Sequence, residues 1–247
     1  MSEPDAQRDW VSTSGRRVGR RLFRLLGIRS FVHVDGFWWY RWHPDAGIGI
    51  SHSWERHISG EILRPGRCFV DAGSHVGRWT IRASPFYQTI LAFEPDPVTN
   101  IVLRRNIARN HIQNVRVFKI ALSNRNGTSL LFGYGPPACN SLRKSHVSGL
   151  HRDSGKTVVV RELDDFMEYL ATPMVMKIDV EGEELAVLEG AAATVEKFRP
   201  TIIVEVHFSD EKERIIQELS IRGYGVNATY SDPANPAAIT YLIARPK

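Results

Sequence analysis

The chain has 247 residues, 43% of them hydrophobic, which is enough to bury a full core and suits one α/β domain with decorations. Residues 1–30 hold seven arginines against Glu3, Asp5 and Asp9, so this segment carries most of the net charge of +5 and the rest is close to neutral. That balance argues against a nucleic-acid partner for the main domain, and no stretch approaches the roughly 20 apolar residues of a membrane span. Cys68, in an apolar run, and Cys139, in a polar one, read as reduced thiols without metal-ligand spacing, and no metal is expected.

Residues 1–30 read as a basic extension and 31–247 as a single domain. In the extension, Arg17, Arg20, Arg21 and Arg24 share one helical face and Val18, Leu22, Leu25 and Leu26 another. The stripe between Arg16 and Arg29 suits a helix docked on its own domain or a peripheral contact with an anionic membrane. The start, Met-Ser-Glu-Pro-Asp, lacks the basic and apolar parts of a secretion signal, which points to a cytoplasmic protein. Next, Trp38, Trp39, Tyr40, Trp42 and Trp54 crowd together as core, as a homodimer interface, or as faces on which a sugar ring stacks. A helix is expected over residues 53–63.

The first strong signal follows. An apolar run over residues 67–72 ends in Asp71-Ala72-Gly73-Ser74-His75-Val76-Gly77, and residues 79–83 read as a helix, so the glycines fall at a strand-to-helix crossing. Such a crossing turns backbone N–H groups toward a ligand. Only Gly73 and Gly77 are present, behind an acid, so the dinucleotide spacing is not met. A second strand over residues 89–94 ends at Glu94, 23 residues after Asp71, where a βαβ unit places its grip on a ribose diol. Pro95 and Pro97 stiffen the loop that presents it.

A helix over residues 98–110 and a third strand over 115–122 come next. Two short β-like runs, 129–132 and 157–160, then break the alternation around a donor-rich stretch containing Asn140, Ser141, Arg143, Lys144, His146, His151 and Arg152. That stretch reads either as a mobile hairpin tip or as a surface for an acceptor bearing phosphate or carboxylate. Val175-Met176-Lys177-Ile178-Asp179 is a buried-strand pattern ending in an acid, followed by Glu181-Gly182-Glu183-Glu184 and one helix over 185–197. Glu183 and Glu184 are sufficiently explained as first-turn acids complementing the helix dipole. A strand over 201–207 carries Glu205 and His207 on one face by its period of two, and a helix over 211–222 and a pair of antiparallel strands, 224–230 and 238–244, close the chain.

These segments, taken together and in order, resemble the FkbM family of S-adenosylmethionine-dependent methyltransferases: Phe69 to Gly77, Ala92 to Pro97, Ala121-Leu122-Ser123 and Val175 to Glu184. The resemblance spans roughly residues 60–210. It implies a Rossmann-like fold, a mostly parallel seven-stranded sheet closed by an antiparallel hairpin. It implies S-adenosyl-L-methionine as cofactor, with the methionine end held by Asp71, Gly73, Ser74 and Gly77, the ribose by Glu94 and the adenine lined by Ala121 and Leu122. The sequence departs from the family at Ser74-His75, where a small residue followed by Asn is more usual, so His75 is open to a contact with solvent or substrate.

Methyl transfer from a sulfonium needs proximity, alignment and a base for the acceptor's proton. A histidine suits that task near neutral pH, so His207 is the expected base, Asp179 an orienter of acceptor or cofactor, and Glu205 an orienter of either. His207 equally suits an edge histidine with a satisfied hydrogen bond, and Asp179, Glu205 and His207 together suit a divalent ion. The expected reaction is O-methylation of a small-molecule or glycan hydroxyl. A nucleic-acid methyltransferase would carry an Asn-Pro-Pro-aromatic loop where this chain has Asp179-Val180-Glu181-Gly182. A non-catalytic module reaching a partner through the arginine-rich extension is the remaining alternative.

Overall fold

In the computed structural model of the protein, the described residues are 30–41, 55–133, 140–142, 155–230 and 240–247. The stripe between Arg16 and Arg29, Trp42, Trp54, Cys139, Arg143, Lys144, His146, His151 and Arg152 lie outside them.

The chain begins with a hairpin of β1 (Phe31–Val34) and β2 (Phe37–Tyr40), then α1 (Arg56–Ile62). There follow β3 (Gly66–Ala72), α2 (Arg78–Ala83), β4 (Tyr87–Phe93), α3 (Pro97–Arg109) and β5 (Val115–Phe118). Three short strands come next, β6 (Ala121–Leu122), β7 (Gly127–Leu131) and β8 (Lys156–Arg161), then a 3₁₀ helix, Leu163–Tyr169. The last third is β9 (Met174–Ile178), α4 (Glu184–Glu189), α5 (Ala192–Phe198), β10 (Thr201–Val206), α6 (Ser209–Ile221), β11 (Tyr224–Tyr230) and β12 (Thr240–Pro246).

Seven strands form the main sheet in the order β11-β12-β10-β9-β3-β4-β5. From β10 to β5 all neighbours are parallel, whereas β12 and β11 run antiparallel, so the expected doubly wound sheet with a closing hairpin is present. Its parallel strands are apolar on both faces because both are covered. Val70, Leu91, Met176 and Val204 pack into one core layer with Leu185, Leu188, Val195, Ile215 and Leu219, while Phe69, Ile90, Val175 and Ile203 join Ile58, Ile62 and Trp79 in the other. The period of two along each strand splits the residues between the layers.

Strand order reverses at β3, which has β4 on one side and β9 on the other, so the topological switch point lies between the carboxyl ends of β3 and β9. The chains meet closely there. Asp179 N donates to Ala72 O at 3.0 Å, and a Cβ on Gly73, whose φ is +82°, would lie 1.7 Å from Asp179 O. Any side chain at Gly73 would force the two loops apart.

Two expectations are corrected. The third strand does not run unbroken over 115–122: β5 stops at Phe118, and Ala121 and Leu122 pair instead with β8 in a separate three-stranded sheet ordered β6-β8-β7. The helix over 185–197 is two helices. Asp164 of the 3₁₀ helix accepts from Ala193 N at 2.9 Å and Thr194 N at 2.8 Å, capping a second start, while Gly190 lies against the Ser123 carbonyl, where a Cβ would be 2.0 Å away.

The hairpin before the domain is set by Asp35-Gly36, both at positive φ, as a two-residue reverse turn demands. It fastens to α3 through Asn106 and Asn110, whose Oδ1 atoms accept from Tyr40 N at 2.8 Å and Trp38 N at 2.7 Å. Trp39 is buried with Ile81, Leu103 and Ile107, so this member of the aromatic group is core.

Candidate active site

A cavity of about 270 Å³ opens at the carboxyl edge of the sheet, over the switch point. One wall is apolar, formed by Phe93, Pro95, Ile120, Ala121, Leu122, Leu131 and Leu142, with Asn140 among them. The other wall is charged: Glu55, Arg78, Asp179, Glu181, Glu183 and Glu205. Gly73, His75 and Glu94 also line it. The three-stranded sheet supplies Ala121, Leu122 and Leu131 to the apolar wall, and Ser141 Oγ beside it donates to the Glu181 carbonyl at 2.6 Å.

Glu94 is held rigidly. Its Oε2 accepts from His75 N at 2.9 Å and its Oε1 from Asp96 N at 2.8 Å, which leaves lone pairs on both oxygens for a diol. Burial pushes the carboxyl up to about 7, against the pull of His75 and the two backbone donors. His75 has φ of +49°, a conformation in which Asn is at home, which explains the family's usual residue there. Asp96 caps α3, accepting from Val98 N and Thr99 N at 3.0 and 2.9 Å, and takes Lys156 Nζ from β8 at 2.6 Å. This ion pair fastens the three-stranded sheet to the Glu94 loop.

Of the residues singled out in the turn, Gly73 lines the cavity, whereas Asp71, Ser74 and Gly77 sit behind it. The buried Asp71 carboxylate accepts from Thr80 Oγ1 at 2.5 Å, and Ser74 Oγ donates to Asp71 O at 2.8 Å, so both stiffen the turn from within. Gly77, at φ +95°, starts α2.

At the charged end, Asp179, Glu205 and His207 each place a ligand-type atom within 4.8 Å of the others. The positive charge among them is built into the chain: buried Lys177 donates to Asp179 Oδ2 at 2.6 Å and lies 3.8 Å from Glu55 Oε1. Burial disfavours ionisation of Asp179, but Lys177 and then His207 hold its carboxyl below the usual range. Glu205 moves the other way, raised by burial and by the charge of Asp179. His207 is enclosed by acids, with Nδ1 at 2.8 Å from Glu184 Oε1 and Nε2 at 3.4, 3.5 and 3.7 Å from Glu181, Asp179 and Glu205. Burial works against its charge, yet those partners raise its pKa well above the usual value, which favours the imidazolium.

Sequence reasoning missed four of these groups. Glu184 is buried and bonded to His207 and to Gly182 N at 2.9 Å, which corrects its reading as an ordinary first-turn acid. Lys177 carried a signal, a lysine inside an otherwise apolar strand pattern. Glu55 and Arg78 carried none, because their pairing joins residues from two different helical segments.

A doubly wound sheet with a ligand-sized cavity outside its switch point is the arrangement of a Rossmann-like α/β enzyme. The sequence matches the Methyltransferase FkbM domain over residues 71–226, and the chain belongs to this family; it is a methyltransferase. It is similar to Methyltransferase 1 of Beauveria bassiana (26% identity, covering 70% of this chain and 78% of that protein). It is also similar to 31-O-demethyl-FK506 methyltransferase FkbM of Streptomyces tacrolimicus (28%, 67% and 75%) and to the hexuronic acid methyltransferase AglP of Haloferax volcanii (31%, 61% and 60%). The crystal structure of Methyltransferase FkbM from Methylobacillus flagellatus KT shares the fold, with a TM-score of 0.54 at 17% identity; the match covers 78% of this chain and 48% of that longer one. No helix among the described residues is long and apolar enough to cross a membrane.

Proposed function

We propose that the chain is an S-adenosylmethionine-dependent O-methyltransferase acting on a hydroxyl of a small molecule or sugar. The observation that carries this reading is the polarity of the cavity, apolar at Ile120, Leu122 and Leu142, then a rigid carboxylate at Glu94, then charged at Asp179 and Glu205. That order fits an adenine, a ribose diol and a cationic amino-acid end. The relative named 31-O-demethyl-FK506 methyltransferase supports an oxygen acceptor, and the one named hexuronic acid methyltransferase supports a sugar.

When bound, the cofactor would supply an electrophilic methyl group on a positively charged sulfur. Glu94 would accept from the diol, Ala121 and Leu122 would cover the base and Gly73 would admit the chain past the turn, while Asp71, Ser74 and Gly77 keep that turn in shape. Asp179 faces the cationic end. The acceptor hydroxyl docks beside Glu205 at the charged edge, and His207, which does not line the cavity, holds Nε2 3.7 Å from Glu205 Oε1. The cofactor's positive charge among the same acids would compete with the imidazolium for them, lower its proton affinity and release its Nε2 proton to solvent. His207 then takes the hydroxyl proton through Nε2, with Glu184 keeping Nδ1–H in place.

Calorimetric titration of S-adenosylmethionine and S-adenosylhomocysteine tests the cofactor before any acceptor is known. Wild type should bind at micromolar concentration and Glu94→Ala about tenfold or more weakly; no binding by wild type would end this reading. With an acceptor in hand, His207→Ala should lose about 10²–10⁴-fold in kcat. Unchanged kcat would remove His207 as the base.

A further inference from the structure

We infer that the β1–β2 hairpin and the carboxyl-terminal half of α3 form a face that seats the protein on an anionic phospholipid membrane, with Arg105 and Arg109 as its phosphate-binding groups. The period of two divides the hairpin into two faces. Val32, Val34, Phe37 and Trp39 share the one that packs into the core, and Phe31, His33, Trp38 and Tyr40 share the other. Across this second face the rings of Phe31 and Tyr40 lie 5.5 Å apart and those of His33 and Trp38 4.9 Å apart.

Two guanidinium groups from α3 rest on these rings. Arg105 lies 5.2 Å from the centre of the Tyr40 ring, and Arg109, one turn on, lies 4.5 Å from that of Trp38 and 5.8 Å from that of Phe31. Both arginines are exposed, and among the described residues neither makes a hydrogen bond or an ion pair. A ring covers the face of a guanidinium and leaves its N–H edge open, so the two groups are held in place without an acceptor. Positive charge is unopposed here: α3 contains no acid, and the hairpin's one acid, Asp35, sits in the turn and is taken by Arg82 at 3.3 Å. A cavity of about 330 Å³ lined by Ser30, Phe31, Trp38 and Arg109 opens on this face.

The contacts discriminate between occupants. A nucleic-acid base or a sugar ring needs an open aromatic face, but Arg109 and His33 both lie against Trp38, and Arg105 lies over Tyr40. A phosphate needs only the guanidinium edges. The 29 residues that lead into Ser30 carry seven arginines against three acids, so they add to the positive field at the cavity rather than neutralise it. A membrane of anionic headgroups answers that field, and part-buried aromatic side chains suit the headgroup level.

Vesicle sedimentation with the full chain tests the face. Wild type should pellet with mixed phosphatidylglycerol and phosphatidylcholine vesicles, not with phosphatidylcholine alone, and salt should release it. The double variant Arg105→Gln, Arg109→Gln should bind about tenfold or more weakly, since each arginine near an anionic surface is worth about a factor of five. Arg105→Lys, Arg109→Lys should keep most of the binding; an equal loss in both variants would trace the effect to ring packing and overturn the inference. Undiminished binding by the glutamine variant overturns it too, because the arginines before Ser30 would then suffice. If that variant does not fold, hydrogen exchange on wild type decides: protection of residues 31–40 and 105–109 by the mixed vesicles supports the face, and none there overturns it. Wild type that binds a single-stranded oligonucleotide or inorganic phosphate through these arginines, but no vesicle, assigns the face to another anion and equally overturns it.

Discussion

At neutral pH the Glu94 carboxyl lies close to its own midpoint, because burial has pushed it up to about 7. Both oxygens already accept a backbone N–H, so only the ionised form keeps lone pairs for two ribose hydroxyls. Ligand binding then favours the ionised form, lowers its pKa and releases a proton. Affinity for S-adenosylhomocysteine should rise about tenfold from about pH 6 to about pH 8, and calorimetry in buffers of different ionisation enthalpy should detect the proton. Glu94→Gln should bind more weakly with a flat profile; a flat profile in wild type would mean that the neutral acid is the binding form. Glu94 was visible in the sequence because its spacing from Asp71 is set by one βαβ unit, a local rule. Glu55 was not, since its partner Arg78 lies 23 residues along a chain that passes through β3 before returning. Lys177 stood between the two: its place in an apolar strand was evident, but its partners come from separate elements.

Elements were legible where hydrophobic periodicity was long and unbroken, as in β3, β4, α3, β9, β10 and α6. They failed where a contact from elsewhere interrupts the pattern. Nothing local in residues 185–197 shows that Asp164 caps a new start at Ala193 and Thr194, or that the Ser123 carbonyl comes so near Gly190. The same holds at Phe118, where the apolar run continues but the chain leaves one sheet for another. Gly190→Ala measures the close approach. Its Cβ would meet the Ser123 oxygen at 2.0 Å, so α4 must move away from the loop after β6. The expected loss is about 1–3 kcal/mol by denaturant unfolding, although alanine is the better helix former. A stabilised variant would show that the loop yields freely. Because Leu122 lines the cavity just before Ser123, the same variant should also weaken S-adenosylhomocysteine binding.

The whole molecule is organised around a charge network held at the centre of its main sheet. Glu55 comes from the start of α1, Arg78 from α2, Lys177 and Asp179 from the end of β9, Glu205 and His207 from the end of β10, and Tyr241 from β12. Distant parts of the chain thus converge on Lys177, buried and within reach of Asp179 and Glu55. Burial disfavours its ammonium, but Asp179, Glu55, Glu205 and Asp71 outweigh that and raise its pKa. A cation whose pKa is raised by folding contributes its full stabilisation below the unfolded value and loses it only as pH climbs through the folded one. Its contribution is therefore complete across the neutral range. Lys177→Met would leave the surrounding carboxylates buried without their cation, at a cost of about 3–5 kcal/mol, or roughly 10 °C in Tm for a chain of this size. The deficit should shrink toward about pH 5, where Asp179, no longer held ionised by the ammonium, takes up a proton in the variant. Differential scanning calorimetry at the two pH values separates this from packing: an equal deficit at both would reduce Lys177 to a filler of space, and a deficit confined to the higher pH would make it the counter-charge on which the active-site edge is assembled.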